Sequence, residues 1–426
     1  MQECRSTPQA TCNDARVQPS PIRLPSGVRD FLPRAAARRR SLAARVMDVF
    51  EAWTYARVIT PVFECADVLE RGLGEGARAA AIRFVEPGTG EIVALRPDIT
   101  PQIARLVATR FADVPGPIRL CYEGTVTRLA GERGQHEIVQ AGIEHVAETD
   151  ELARAGDAEV LAIACDVLAR LHLPEVGLDV GHVAPARFVL DAAPDAESRR
   201  ALAAAIARKD RAGVRAAARV LRAGAVANAL ALVDLWGPAD EVLARARALA
   251  WPRDVVAAFD EVAALLDRVR ELASNTPPIT LDFSDLRGEG YYTGIRFAAY
   301  AGGAHDAIVR GGRYDELIAR YGRPLRATGF AIDLEMVAEA SRGDDAAPAR
   351  GVAIASSVAD APAIARALRA RGIRAVVQAT ASAPWLAGAG LDAFVKDDRV
   401  NDRPAGAEIQ AARVGDIEPL IALIQA

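Results

Sequence analysis

The sequence predicts an α+β protein: a main body of strands and helices, a helical insertion within it, and a small α/β unit at the carboxy-terminal end. Three observations lead there. β-rich runs recur in two separated places, Ile118–Arg128 with Glu137–Val146 and then Leu281–Val337, bounded by polar and glycine-rich turns. Between them Pro185–Ala273 is rich in alanine and arginine, both strong helix formers. Past a polar stretch, Gly351–Ala426 alternates short β-runs with helical stretches. Segregated strands and helices are the mark of an α+β body.

Taken in order, Met1–Arg23 is polar, holds three prolines and shows no hydrophobic period, so it is expected to be a disordered extension. The main body runs over residues 24–345 and opens at Leu24–Asp30. Its first helix is expected over Arg34–Ala52, where Val46, Met47, Val49 and Phe50 supply an apolar side. Ala56–Glu64 reads as a strand around Ile59-Thr60-Pro61-Val62-Phe63, and its proline suits an edge or an interface. Ile82–Val85 and Ile92–Leu95 flank Pro87-Gly88-Thr89-Gly90 as a hairpin. Leu95–Gln102 is extended and turns into a helix at Pro101. The two long strands are joined by Leu129–His136. A helix then follows from Leu152 to about Leu171, and a strand at Leu178–Gly181.

The helical insertion is expected over about residues 185–275. Strands return at Ile295–Tyr300 and Ala307–Val309, and a helix ends the main body. Ser341–Arg350 is polar, with glycine and proline, and reads as a linker. In the last unit, residues 351–426, the strands are Val352–Ala355, Ala375–Val377 and Ala393–Val395.

Composition narrows the function. The 426 residues are 51% hydrophobic and 25% charged, with a formal charge of −4, as in an ordinary soluble protein of two or three domains. No Lys/Arg block with interleaved aromatics marks a nucleic-acid surface. Lys209 and Lys396 are the two lysines, so no Gly-x-x-x-x-Gly-Lys loop exists and a P-loop nucleotide site is excluded. Cys4, Cys12, Cys65, Cys121 and Cys165 are scattered, and the five histidines show no ligand spacing. Neither a structural metal nor a disulfide framework is expected. No run approaches the length of a membrane span, and Met1–Ile22 lacks the apolar core of a signal peptide. The expected compartment is the cytoplasm.

The chemistry concentrates in Leu281–Val337. Glycines flank β-runs in Asp285-Leu286-Arg287-Gly288-Glu289-Gly290-Tyr291-Tyr292-Thr293-Gly294, in Gly311-Gly312-Arg313-Tyr314-Asp315 and in Gly329-Phe330-Ala331-Ile332-Asp333-Leu334-Glu335-Met336. Glycine lets a backbone approach a ligand closely. Arg287, Tyr291, Tyr292 and Tyr314 add a cation and hydroxyls, the make-up of a small-molecule site on a sheet. Hairpin turns with surface tyrosines would leave the same pattern.

The first of these pieces resembles the histidine-recognition signature of the histidyl-tRNA synthetases, and the other two resemble that family's last class II motif. The resemblance continues in Leu24–Asp30, in Ile59–Phe63 as the first class II motif, and in Tyr122-Glu123-Gly124-Thr125-Val126-Thr127-Arg128 as the second. It implies a mostly antiparallel class II sheet flanked by helices, a homodimer through the first motif, and a shortened anticodon-binding unit in the tail. Carried position by position, it puts Asp98 and Thr100 on the α-amino group of histidine, where the family uses a glutamate and a threonine. Gln140 falls on an amino-acid-binding position. Glu144 and Tyr292 fall on positions that hold the imidazole, and Arg287 faces the carboxylate. Tyr291 and Tyr314 line the pocket, and Arg128 is the second motif's leading arginine.

The departures matter as much. The arginine that clamps ATP in the synthetases is replaced by Met336, and a thioether cannot pair with a phosphate. The glutamate expected after Arg128 is Ala130, and the loop Leu129–His136 lacks the family's nucleotide-contacting run. A synthetase scaffold without its nucleotide clamp is similar to the regulatory subunits of ATP phosphoribosyltransferase, the synthetase's paralogues in histidine biosynthesis. That resemblance implies no catalytic residue and no cofactor. It implies free histidine as effector and a short-form catalytic subunit as partner, in a hetero-octamer. The alternatives are a true histidyl-tRNA synthetase and a synthetase-derived RNA-binding module.

Overall fold

The computed structural model describes residues 23–129, 134–222, 224–341 and 351–380, and beyond these residues 386, 391, 393–396, 399–401 and 421. The expected extension up to Ile22, residues 130–133 of the loop, Ala130 among them, and the linker over 342–350 lie outside the described residues.

α1 (Pro33–Ala52) starts on a proline, whose missing N–H costs nothing in a first turn. Leu42, Val46 and Phe50, spaced four apart, bury one stripe of it. The strand expected over Ala56–Glu64 is instead two. β1 (Ala56–Arg57) and β2 (Phe63–Cys65) belong to different sheets, and residues 58–62 belong to neither. Pro61 has no N–H for a ladder, and side chains take the carbonyls that a neighbouring strand would have used. Arg96 Nη1 donates to Thr60 O at 3.0 Å and Gln102 Nε2 to Pro61 O at 2.9 Å. After α2 (Ala66–Glu70) and α3 (Glu75–Ala80), β3 (Arg83–Val85) and β4 (Ile92–Leu95) form the expected hairpin. With β2 they make a three-stranded antiparallel sheet in the order β2-β4-β3.

α4 (Thr100–Arg110) carries its proline at the start, as expected. β5 (Ile118–Thr127) and β6 (Glu137–Ala147) pair antiparallel along their whole length. α5 (Asp150–Leu171) is capped by Thr149, whose hydroxyl accepts from Leu152 N at 3.3 Å, and two acids follow in its first turn. β7 (Gly177–His182) leads into the insertion. There α6 (Val183–Asp191), α7 (Ala196–Ala207), α8 (Arg211–Ala217), α9 (Val226–Leu232), α10 (Ala239–Arg247) and α11 (Arg253–Leu272) are as helical as expected. One strand interrupts them: β8 (Trp236–Pro238) pairs with β9 (Ile279–Asp282) at an edge of the main sheet. A Trp-Gly-Pro run reads locally as a loop, and only the neighbour strand makes it β.

β10 (Ile295–Tyr300), β11 (Val309–Arg313), β12 (Arg326–Asp333) and α12 (Leu334–Ala340) close the main body. The main sheet runs β1-β5-β6-β12-β11-β10-β7-β9-β8 and is antiparallel except at β1–β5 and β7–β9. In the tail, β13 (Gly351–Ala355), α13 (Ala361–Ala370), β14 (Arg374–Gln378), β15 (Ala393–Lys396) and β16 (Arg399–Asn401) build a separate sheet, β14-β13-β15-β16. It has its own core of Val352, Ile354, Ile364 and Leu368.

Strand periodicity divides the main sheet into two faces. Ala141, Ile143, Ile295, Phe297, Phe330 and Ile332 join α1, α5 and α11 in one large core. On the other face Leu120, Tyr122, Val146 and Ala327 pack with α4 and the tyrosines 291, 292 and 314. Arg296, Gly312, Gly329, Gln140 and Glu144 fall on that second face by the same alternation.

Candidate functional site

A cavity of about 330 Å³ opens on that second face, within the size range of small-molecule sites. Its floor is β10, β11, β12 and β6. The chain entering α4 and the tyrosine loop after β9 make its walls. Eight of the nine side chains singled out from the sequence line it: Asp98, Thr100, Arg128, Gln140, Arg287, Tyr291, Tyr292 and Tyr314. They come from five stretches that are far apart in the chain, and the order β6-β12-β11-β10 gathers them.

The ninth, Glu144, lies beneath the cavity. Its residue is 2% exposed, and it accepts hydrogen bonds from Tyr122 Oη at 3.4 Å and from Tyr314 Oη in a shorter contact. Burial holds its carboxyl well above the ordinary carboxylate range, despite hydrogen bonds to its oxygens that favour the charged form. The Tyr122 hydroxyl also lies 3.3 Å from Thr100 Oγ1. One hydroxyl therefore links the Asp98–Thr100 end of the site to Glu144. Asp98 itself accepts from Thr100 N at 3.3 Å, so it stands at the mouth of α4 and on the cavity wall at once.

Room for this arrangement comes from glycine. On Gly329, paired with Glu144 across β12 and β6, a Cβ would fall well inside van der Waals contact with Glu144 Oε2, Tyr314 Oη and Ile143 O. Gly142 leaves the same space for the Tyr122 ring, since a Cβ there would meet its hydroxyl at 2.5 Å. Tyr291 packs against both Tyr292 and Tyr314 with ring centroids 5.2 Å apart. Burial raises the Tyr291 hydroxyl well above its ordinary value and pushes Tyr292 up to about 12, so both remain donors at neutral pH.

Two placements differ from a direct ligand contact. Arg287 is half exposed, and its guanidinium is already bidentate on Asp285, with Nη2 2.7 Å and Nε 3.0 Å from the carboxylate. Asp285 also takes Arg296 at 2.6 Å. Burial alone would raise this carboxyl, but the Arg287 hydrogen bonds and the Arg296 charge hold it down at about 2. Arg128 is tied by Nε to Pro97 O at 2.7 Å. Gln140, by contrast, has a buried Oε1 with no hydrogen-bond partner among the described residues, an acceptor left open in the cavity. Met336 is in the large core on the other side of the sheet, and α12 is capped instead by Asp333, which accepts from Glu335 N and Met336 N at 2.9 Å. Tyr122, Asp285 and Arg296 were not singled out as site residues from the sequence. Tyr122 belongs to a motif, but its role depends on a strand pairing that no local spacing reveals.

Among the described residues, no group of histidine, cysteine and acidic side chains is placed to hold a metal, and no helix is long and apolar enough to cross a membrane.

Known proteins resemble the chain in sequence and fold. The family model described as histidyl-tRNA synthetase matches residues 27–337. The chain is 45% identical over 325 residues to an ATP phosphoribosyltransferase regulatory subunit of Anaeromyxobacter sp. (strain Fw109-5), covering 75% of this chain and 93% of that protein. It is 43% identical to the one from Anaeromyxobacter dehalogenans (strain 2CP-1 / ATCC BAA-258), covering 75% and 91%. Among solved structures, an ATP phosphoribosyltransferase regulatory subunit/histidyl-tRNA synthetase from Bacillus halodurans superposes with a TM-score of 0.76 at 25% identity, covering 89% of this chain and 98% of that one. A histidyl-tRNA synthetase from Nostoc sp. PCC 7120, 19% identical, shares the fold with a TM-score of 0.76 over 95% of this chain.

Proposed function

We propose that this chain, which belongs to the histidyl-tRNA synthetase family and within it to the ATP phosphoribosyltransferase regulatory subunits, is the non-catalytic histidine sensor of that enzyme. It binds free histidine in the cavity on the second face of the sheet. It works in the cytoplasm with a short-form catalytic subunit, in a hetero-octamer, and passes on feedback inhibition. The observation that carries this reading is the gathering of Asp98, Thr100, Gln140, Tyr291, Tyr292 and Tyr314 around one cavity above Glu144. Histidine offers an ammonium to Asp98 and Thr100, an imidazole to Glu144 and Tyr292, and a carboxylate to the cationic side at Arg287. Contacts of this charge-assisted kind contribute about 1.5–3 kcal/mol each, and a few suffice for micromolar affinity, roughly −8 kcal/mol.

Inhibition follows if histidine binds one state of the complex more tightly than the other, with a coupling of about 1–3 kcal/mol. The test is phosphoribosyl transfer from phosphoribosyl pyrophosphate to ATP by the reconstituted complex, titrated with histidine. Saturable inhibition that requires this chain is expected. The same preparation is expected to give no histidine-dependent exchange of pyrophosphate into ATP, because the clamp position holds a core methionine. Robust exchange would return the chain to the synthetases, and inhibition without this chain would move the effector site to the catalytic subunit.

The homodimer contact belongs on the segment between β1 and β2 and on the three-stranded sheet. Ile59 is 86% exposed, and Val62, Phe63, Phe84, Val85 and Ile92 are also uncovered. Sedimentation of the isolated chain is expected to give a dimer at micromolar concentration and a monomer for Ile59→Glu. A monomeric unsubstituted chain would remove this assignment.

A further inference from the structure

A second basin, of about 420 Å³, shares no lining residue with the cavity above and is built around the start of α1. Arg29, Arg34, Arg38 and Arg39 line it together with Glu339. We propose that it binds a small anion carrying linked phosphates, of the diphosphate or triphosphate class. This stands independently of the histidine reading.

Three of the four arginines are held in place, not loose on the surface. Arg29 and Arg39 share the Glu335 carboxylate, which is 1% exposed, at 2.9 and 2.6 Å. Their guanidinium carbons also lie 4.9 and 3.7 Å from the centre of the Phe31 ring, one cation–π contact each. Arg38 donates through Nη2 to Ser341 Oγ at 2.9 Å and to Ser341 O, which leaves its Nε buried without an acceptor among the described residues. Arg34, one residue into α1, has no partner among the described residues.

The charge does not balance. Among the described residues, four guanidinium groups face two carboxylates, Glu335 and Glu339, an excess of two positive charges. α1 adds to it, since its first turn has no acid and no side-chain cap, and the positive end of a helix favours an anion. Planar guanidinium forks match phosphate oxygens in pairs. A single carboxylate would neutralise one charge, whereas linked phosphates supply two or more within a volume this size. Glu335 follows Asp333, which caps α12 and lines the first cavity, so an anion that competes for Arg29 and Arg39 acts at the end of the strand β12 that floors that cavity.

The experiment is calorimetric titration of the full chain with inorganic pyrophosphate and, in parallel, with ADP. One equivalent per chain is expected. Arg34→Glu is expected to weaken binding at least about tenfold, the loss of one charge-assisted contact, and Arg34→Gln by less. Arg310→Ala, in the other cavity, is expected to leave it unchanged. Arg34 is exposed, so both Arg34 variants should melt like the unsubstituted protein, and Arg34→Gln retains the test if the charge reversal disturbs α1. Equal affinity for the two probes identifies the phosphates as the recognised group, and much tighter ADP identifies a nucleoside diphosphate. No binding of either probe, unaltered affinity in both Arg34 variants, or loss only in Arg310→Ala would overturn the proposal.

Discussion

Glu144→Gln is expected to weaken histidine binding by about 5- to 150-fold, the equivalent of about 1–3 kcal/mol, while stabilising the empty protein at neutral and alkaline pH. The first effect comes from replacing the Glu144 carboxyl, the group assigned to the imidazole, with an amide. The second comes from burial. The Glu144 carboxyl is buried at the cavity floor and its proton is held more tightly than in the unfolded chain. A group whose folded value is raised contributes stability that is complete below its unfolded value, near 4.3, and is lost as pH rises through the folded value. Glutamine does not titrate, so the two proteins should melt alike in acid, apart from any constant offset, and diverge in favour of the variant as pH increases. Calorimetric titration with histidine and melting curves across pH read the two effects separately. Unchanged affinity would place the imidazole elsewhere. A variant less stable at every pH by an increasing margin would mean that the carboxylate is stabilised by its tyrosines, not strained by burial.

Gly329→Ala is expected to do more damage than its single methyl suggests. The added Cβ would press on the Ile143 carbonyl, which is fixed in the β6–β12 ladder, and on the Glu144–Tyr314 pair. Side chains could turn aside, but a backbone carbonyl between two paired central strands cannot. Overpacking of this kind costs about 1–3 kcal/mol and occasionally more. Histidine binding should fall with it, because Glu144 and Tyr314 are the groups displaced. Gly290→Ala is a control in the same part of the chain. It removes a glycine of positive φ, with local strain, but its Cβ would meet nothing within 4 Å. Thermal melting and histidine titration of both variants check this. Equal losses of affinity in the two would mean that general loosening, not the Glu144–Tyr314 contact, is responsible.

Much of this molecule was legible in its residues, for local reasons. The long strands around Tyr122 and Gln140, the hairpin at Pro87–Gly90, the proline-led α1 and α4 and the helical insertion are all written in short-range pattern. Glycine pairs beside tyrosines pointed to a small-molecule site, the resemblance supplied nine candidate residues for it, and eight of those nine line one cavity. The errors share a cause. Ala56–Glu64 carries a run of strand formers around Pro61, yet Arg96 and Gln102, from beyond the next hairpin, take its carbonyls and split it. Trp236–Pro238 has a Gly-Pro pair and no strand period, yet β9 supplies an edge for it.

What the sequence by itself determined was therefore which residues exist to do chemistry, and on what scaffold. Met336 at the clamp position is a statement about composition at one place, and no folding could restore a phosphate-binding cation there. What only the tertiary structure decided was the state of those residues. Glu144 became a buried acid beneath the floor, Arg287 became half of an ion pair with Asp285, and Gln140 kept an unfilled acceptor. Burial, pairing and desolvation depend on neighbours brought from distant strands, and the faces of a sheet are fixed by register across the ladder, which a single strand read alone does not contain.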